Sequence, residues 1–202
     1  MGLLSEVEKL WKSALLTGSA FSGRYNKLRW LYSSLEDPWE MASEREQHRF
    51  AETSAQLRTL APRFDGILEL GCGEGHQSLH LSALTDRLCG VELSAKAVDR
   101  ARKRCPGAEF VVAGLDQASN LFPNVSFDLI TACEVLYYTP DPGAVLPALQ
   151  QRARYLYVSN YLPRSEQMRE HFSGPGWRSL PDISHGDTTW ECFVWEAAAA
   201  GR

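Results

Sequence analysis

Three glycines and two acids carry the chemistry that this sequence offers. Gly71, Gly73 and Gly75 alternate in Gly71-Cys72-Gly73-Glu74-Gly75, directly after the apolar run Ile67-Leu68-Glu69-Leu70. A glycine turn at the carboxyl end of a strand brings backbone N–H groups up to a ligand with no Cβ in the way. In a doubly wound sheet this is the place for a nucleotide-type ligand. Glu92 ends the next apolar run, Leu88-Cys89-Gly90-Val91-Glu92. It follows Gly71 by about 20 residues, the spacing at which an acid meets ribose hydroxyls.

Glu92 suits a nicotinamide dinucleotide and S-adenosylmethionine (SAM) alike; Glu69 separates them. It sits at the strand end, two residues before the turn. At ~4 Å and an effective dielectric of ~20, a carboxylate and a pyrophosphate charge repel by roughly 4 kcal/mol. The same carboxylate attracts the ammonium and sulfonium of SAM. The G-x-G-x-G spacing, in place of G-x-G-x-x-G, points the same way. SAM is the favoured ligand.

These residues need a sheet to position them, and the chain alternates accordingly. The expected strands are 66–70, 88–93, 109–113, 127–133 and 155–159, with helices at 76–84, 95–104 (capped by Ser94) and 143–152. A short helix is expected over about 164–172. After Gly174-Pro175-Gly176, residues 177–180 and 188–195 read as two strands joined by a turn near 184–187. The predicted fold is α/β: a Rossmann-like, doubly wound, seven-stranded sheet, mostly parallel with an antiparallel last strand.

An N-terminal helical extension precedes that sheet. Leu3, Leu4, Val7, Leu10, Trp11, Ala14 and Leu15 recur at helical spacing, and Tyr25, Leu28, Leu31, Tyr32 and Leu35 define a second helix. Residues 1–42 divide off as N-terminal helices, a cap or a lid, and 43–202 as the ligand-binding domain. Asp37-Pro38 makes a hinge, because proline fixes its own φ and moves the preceding residue out of the helical region. Trp39 beyond it has two readings: stacking on adenine or a substrate ring, or anchoring the loop. Ser43 with Glu46 reads as a capping box for a helix over 43–61.

Composition limits the partners. Of 202 residues, 44% are hydrophobic and 23% charged, as in a soluble globular protein. The net charge of −4 gives no broad basic surface for nucleic acid. Arg100, Arg102, Lys103 and Arg104 read as a solvated helix face. The five cysteines form no C-x-x-C pair, and His48, His76, His80, His171 and His185 are scattered, so no metal site is expected. Neither a signal-peptide pattern nor an apolar run of ~20 residues is visible, and the expected location is cytoplasmic.

The combined motifs resemble the class I SAM-dependent methyltransferases over roughly residues 60–196. Glu69 to Gly75 is similar to their first motif, Val91-Glu92-Leu93-Ser94 to their second, and Phe127 to Ile130 with Glu134-Val135-Leu136-Tyr137-Tyr138 to the fourth-strand motif. Within that class, Asp37-Pro38-Trp39, Ser43, Glu46 and Glu134 to Tyr138 resemble the NodS-like group, which N-methylates an amino sugar. Where that group has tyrosine before the glutamate, this chain has Arg45.

The resemblance implies SAM as cofactor, S-adenosylhomocysteine as its product, and a set of roles. Gly71, Gly73 and Gly75 line the methionine part, Glu69 helps hold its ammonium, and Glu92 takes the ribose. Leu93 packs on adenine, and Leu115 and Asp116 meet its edge, although Leu115 intervenes where the family's acid directly follows a glycine. Cys133 and Glu134 end the fourth strand beside the sulfonium. Glu134 is the base or the amine-orienting carboxylate, with Tyr138 and Tyr137 binding substrate; one of two consecutive tyrosines usually packs. RNA methyltransferases of this fold place a glutamate-histidine metal cluster where this chain has Val135 to Tyr138, which disfavours a nucleic acid substrate.

The expected function is therefore methyl transfer to a small molecule, an amine of a sugar-like metabolite first and an alcohol second. A neutral amine needs little beyond alignment and a proton route, whereas an alcohol needs a base or a metal. More distant alternatives are a NAD-dependent oxidoreductase and a non-catalytic SAM-binding protein.

Overall fold

The computed structural model describes residues 21–123 and 125–198. The amphipathic pattern at 3–16 lies outside the described residues. Helix α1 (Phe21–Ser34) leads through the Asp37-Pro38 hinge to α2 (Glu44–Leu60). Strand and helix then alternate: β1 (Ile67–Leu70), α3 (His76–Ser82), β2 (Leu88–Glu92), α4 (Ala95–Arg104), β3 (Glu109–Val112) and β4 (Phe127–Cys133). Helix α5 (Pro142–Gln150), β5 (Ala153–Tyr161), α6 (Leu162–Ser165), β6 (Trp177–His185) and β7 (Thr188–Glu196) follow.

The seven strands form one sheet in the order β3-β2-β1-β4-β5-β7-β6. The pairs from β3 through β5 are parallel, and β7 runs antiparallel to both β5 and β6. This is the expected doubly wound sheet closed by a reversed hairpin. Strand order reverses between β1 and β4, which opens a crevice above their carboxyl ends.

Every residue of β1 and β2 is buried, as a strand covered on both faces requires. Alternate residues supply two cores. Leu68, Leu70, Ile130 and Leu156 pack with Leu146 and Leu149 of α5 on one face. Ile67, Leu129 and Tyr157 pack with Leu57 of α2, Leu81 of α3 and Val98 of α4 on the other.

Ser94 caps α4 as expected, accepting from the Ala97 N–H. The α2 capping box does not form. Ser43 stands at the N-cap with extended backbone, but its hydroxyl has no partner. Glu46 instead turns its carboxylate to Arg45 and Arg49. The short helix expected near 164–172 divides into α6 and a 3-10 turn at Arg169–Phe172, and the loop after β3 winds into a 3-10 helix at Leu115–Asn120.

Candidate active site

The glycine turn is held by its own backbone. The Gly71 and Cys72 N–H groups donate to the Val91 carbonyl at 2.8 and 3.1 Å, and the Gly75 N–H to the Cys72 carbonyl. The Gly73 N–H donates to Glu92 at 3.3 Å. Four N–H groups of the turn are thus committed to protein acceptors, an arrangement unlike a phosphate cradle. At Gly71, φ is +66° and a Cβ would lie 2.4 Å from Cγ2 of Val135. Only glycine fits there.

Above this turn lies a cavity of about 250 Å³. The ends of β1, β2 and β4 form its floor, through Glu69, Glu92 with Leu93, and Cys133 with Glu134. Leu115 and the tyrosines Tyr137 and Tyr138 close two sides. The N-terminal part contributes the rest: Tyr32 of α1, Trp39 of the hinge, and Met41, Glu46 and Arg49 at the start of α2. Of the residues singled out in the sequence, Glu69, Gly71, Gly73, Glu92, Leu93, Leu115, Cys133, Glu134, Tyr138 and Trp39 share this one cavity.

Two others stand outside its lining. Gly75 is the N-cap of α3 and faces Ala101 of α4, so its missing side chain lets two helices approach. Asp116 is exposed, with its carboxylate against Gly114, itself a lining residue.

The acids are poised by burial. Glu69 is 5% exposed and accepts from the Ser78 hydroxyl at 2.5 Å. Burial pushes its carboxyl up to about 8, against the pull of Ser78 and Arg49. Glu92 is also raised by burial, although the Ser94 N–H (2.9 Å) and the Gly73 N–H stabilise its charge. Glu134 adopts φ +58°, accepts from the Tyr161 N–H, and takes the Tyr137 hydroxyl at 3.1 Å. Burial raises it too. Cys133 accepts from Gln77 Nε2 at 3.3 Å, and burial raises its thiol.

The α1 helix reaches the turn through Tyr32. Its hydroxyl accepts from Trp39 Nε1 at 3.0 Å and stands 3.1 Å from where a Gly73 Cβ would be. Sequence reasoning placed Tyr32 only on an apolar helix face. It missed Arg49 altogether, although the Glu46-x-x-Arg49 spacing puts opposite charges one helical turn apart. The basic residues of α4 are not simply solvated. Arg100 bonds Glu74 at 2.6 Å and the Leu35 carbonyl at 2.8 Å, Arg102 bonds the Phe110 carbonyl, and Arg104 the Glu74 carbonyl.

A reversed-hairpin seven-stranded sheet, with an acid-flanked glycine turn at its switch point, defines a Rossmann-like domain of the class I methyltransferase type. Comparison with known proteins makes this specific: residues 67–157 match the family model for a methyltransferase domain. Residues 67–157 thus match a methyltransferase domain, and the chain is similar in sequence to nodulation protein S and in fold to the NodS structure.

Nodulation protein S of Sinorhizobium fredii is 30% identical over 131 residues, 63% of this chain and 59% of that protein. Trans-aconitate 2-methyltransferase of Methylobacterium radiotolerans is 29% identical, over 75% of this chain and 55% of that protein. The N-methyltransferase NodS from Bradyrhizobium japonicum, solved with S-adenosylhomocysteine, superposes with a TM-score of 0.71 at 16% identity, over 86% of this chain and 98% of that one. The chain spans less than two thirds of the length of these two curated relatives.

The residues present fit SAM. The cavity brings together two buried acids, Glu92 at the end of β2 and Glu69 on β1, with the apolar side chains Leu93 and Leu115, a donor set of the kind that an adenosyl amino acid needs.

Proposed function

We propose that this chain transfers a methyl group to a small-molecule acceptor, with an amine of a sugar-like metabolite as the acceptor class. One observation carries the cofactor half of this reading: two buried carboxylates, Glu69 and Glu92, flank a glycine turn whose Gly73 N–H is committed to Glu92. The cationic groups of SAM would draw both acids into their ionised forms, which burial alone disfavours, whereas a pyrophosphate would oppose that ionisation. When bound, SAM supplies an electrophilic methyl group on a sulfonium.

The chain's own residues bind, orient and exclude water. Glu92 holds the ribose hydroxyls, Leu93 and Leu115 enclose adenine, and Asp116 approaches its edge from beside Gly114. Glu69 meets the ammonium, and Gly71 and Gly73 allow the methionine part to lie close to the backbone. Helix α1 with the hinge acts as a lid, with Tyr32 and Trp39 shielding the cavity from water, as an in-line displacement requires.

The β4 end favours an amine. Glu134, Tyr137 and Tyr138 present a carboxylate and two phenols to the cavity. Burial raises the Glu134 carboxyl, which makes it a better proton acceptor than a surface carboxylate. The Tyr137 hydroxyl and the Tyr161 N–H hold it in place. NodS is described as an N-methyltransferase, and the trans-aconitate enzyme shows that relatives differ in acceptor.

Incubation with methyl-labelled SAM and matched amino, hydroxyl and carboxyl sugars tests this reading. Label should appear on the amino compounds. Label confined to hydroxyl or carboxyl compounds would refute the amine assignment.

A further inference from the structure

Arg45 stands in the first turn of α2 and lines the cavity near its mouth, with 41% of its side chain exposed. Nε donates to Glu46 at 3.0 Å, and that bond holds the guanidinium in place. Among the described residues, Nη1 and Nη2 meet no hydrogen-bond acceptor. An arginine tied at Nε and open at both terminal nitrogens presents a planar fork, the geometry that grips a carboxylate or a phosphate bidentately.

The fork has a defined place relative to the chemistry. Arg49 follows Arg45 by four residues and is 2% exposed, so the pair marks the outer and inner ends of one stripe on α2. Four residues rise roughly 6 Å along a helix. At the inner end, the Arg49 charge acts on Cys133 and Glu134, which end β4. Arg49 also draws on the Glu46 carboxylate, at 2.8 Å, so Glu46 does not fully neutralise Arg45. The lining carboxylates beside the hinge are engaged elsewhere. Asp37 accepts from the Met41 and Ala42 N–H groups, and Glu74 is bonded by Arg100. Exposed Arg164 of α6, 6.0 Å from the Tyr137 ring centroid, adds a second guanidinium near the Glu134 end.

We propose that Arg45 selects methyl acceptors that carry an oxyanion, a carboxylate or a phosphate, in addition to the amine. The amine faces Glu134, and the oxyanion lies about one helical turn farther out, a separation that a single sugar ring spans. The proposal rests on the methyl-transfer reading of this cavity and narrows its substrate class to anionic amino sugars. Arg45 touches no reacting atom and acts on specificity alone.

Calorimetric titration of the protein saturated with S-adenosylhomocysteine tests it. The probes are glucosamine, glucosamine 1-phosphate, glucosamine 6-phosphate and glucosaminuronic acid. At least one anionic probe should bind about tenfold tighter than glucosamine, the worth of bidentate charge-assisted hydrogen bonds discounted for solvent at the mouth. Whether the phosphates or the carboxylate gain more identifies the oxyanion. Arg45→Gln should bring the anionic probes to within about twofold of glucosamine and leave S-adenosylhomocysteine affinity unchanged. Arg45→Lys keeps the charge, loses the fork and should retain part of the preference.

The comparison among probes on the wild-type protein stands whether or not the variants fold. Wild type that binds no anionic probe, or binds all of them no tighter than glucosamine, would overturn the proposal. A preference that survives in Arg45→Gln would overturn it too. So would a loss of S-adenosylhomocysteine affinity in that variant, which would put the fork on the cofactor. Wild type that binds no S-adenosylhomocysteine would instead refute the methyl-transfer reading itself. Methyl label on a hydroxyl or carboxyl of an anionic probe would refute the amine assignment and leave the Arg45 preference standing.

Discussion

The Asp37 N–H donates to both carboxylate oxygens of Glu74, at 3.1 Å each. This contact fastens the hinge to the glycine turn. Asp37 adopts φ +44°, and its own carboxylate accepts from the Met41 and Ala42 N–H groups. Arg100 completes the clasp by bonding both Glu74 and the Leu35 carbonyl. Arg100→Met leaves the buried Glu74 carboxylate without its cation and should destabilise the fold by about 3 kcal/mol. Urea denaturation measures that loss. Hydrogen exchange should show the amides of 35–42 opening before those of β1.

Gly71 gives a separable steric prediction. Gly71→Ala should cost about 2–4 kcal/mol, from positive φ and from collision with Val135. Adding Val135→Ala removes the colliding methyl group and should recover part of the loss. The roughly 1–2 kcal/mol of left-handed backbone strain should remain. Full recovery would show that the backbone of the turn relaxes.

Much of this arrangement was legible in the sequence, for a physical reason. Strands buried on both faces read as unbroken apolar runs, so β1, β2 and β4 were found with their acids at the correct ends. The α4 cap was legible because the Ser94 hydroxyl meets the N–H three residues on, the local pattern that a cap rule describes. The α2 capping box was misread because Glu46 has a stronger partner in Arg49, which a cap rule does not weigh. Arg49 itself was missed because nothing local marks a charged residue in a polar helix as buried. Its burial comes from Phe50 and Trp190, and Trp190 lies far away in the chain. The Tyr32 contact with Gly73 is likewise tertiary. Helical periodicity gives the face on which a tyrosine lies and not what its hydroxyl meets.

Glu69 predicts a pH dependence of stability. Its carboxyl moves from about 4.5 when unfolded to about 8 when folded. Between these values the folded protein keeps a proton that the unfolded chain has lost. Stability therefore falls as pH rises from about 4.5 to about 8, by up to about 1.4 kcal/mol per unit. Urea midpoints across that range measure the slope, and Glu69→Gln should flatten it. A slope of the opposite sign would contradict the burial assigned to Glu69.

Glu134→Gln separates chemistry from structure. The amide keeps an oxygen for the Tyr161 N–H and loses the basicity. Turnover on an amine acceptor should fall about 10²-fold, with S-adenosylhomocysteine affinity within about twofold of wild type. Equal loss of binding and turnover would mean that Glu134 chiefly holds the β4 end in place.

The most direct test of the central claim is calorimetric titration with SAM, S-adenosylhomocysteine and NAD, on wild type and on Glu92→Ala. The account predicts that both adenosyl sulfur ligands bind and NAD does not. Glu92→Ala should lose about 1–3 kcal/mol of that binding, the worth of charge-assisted hydrogen bonds to ribose. Binding of NAD without SAM would contradict the reading of Glu69 and, with it, the assignment of the cavity.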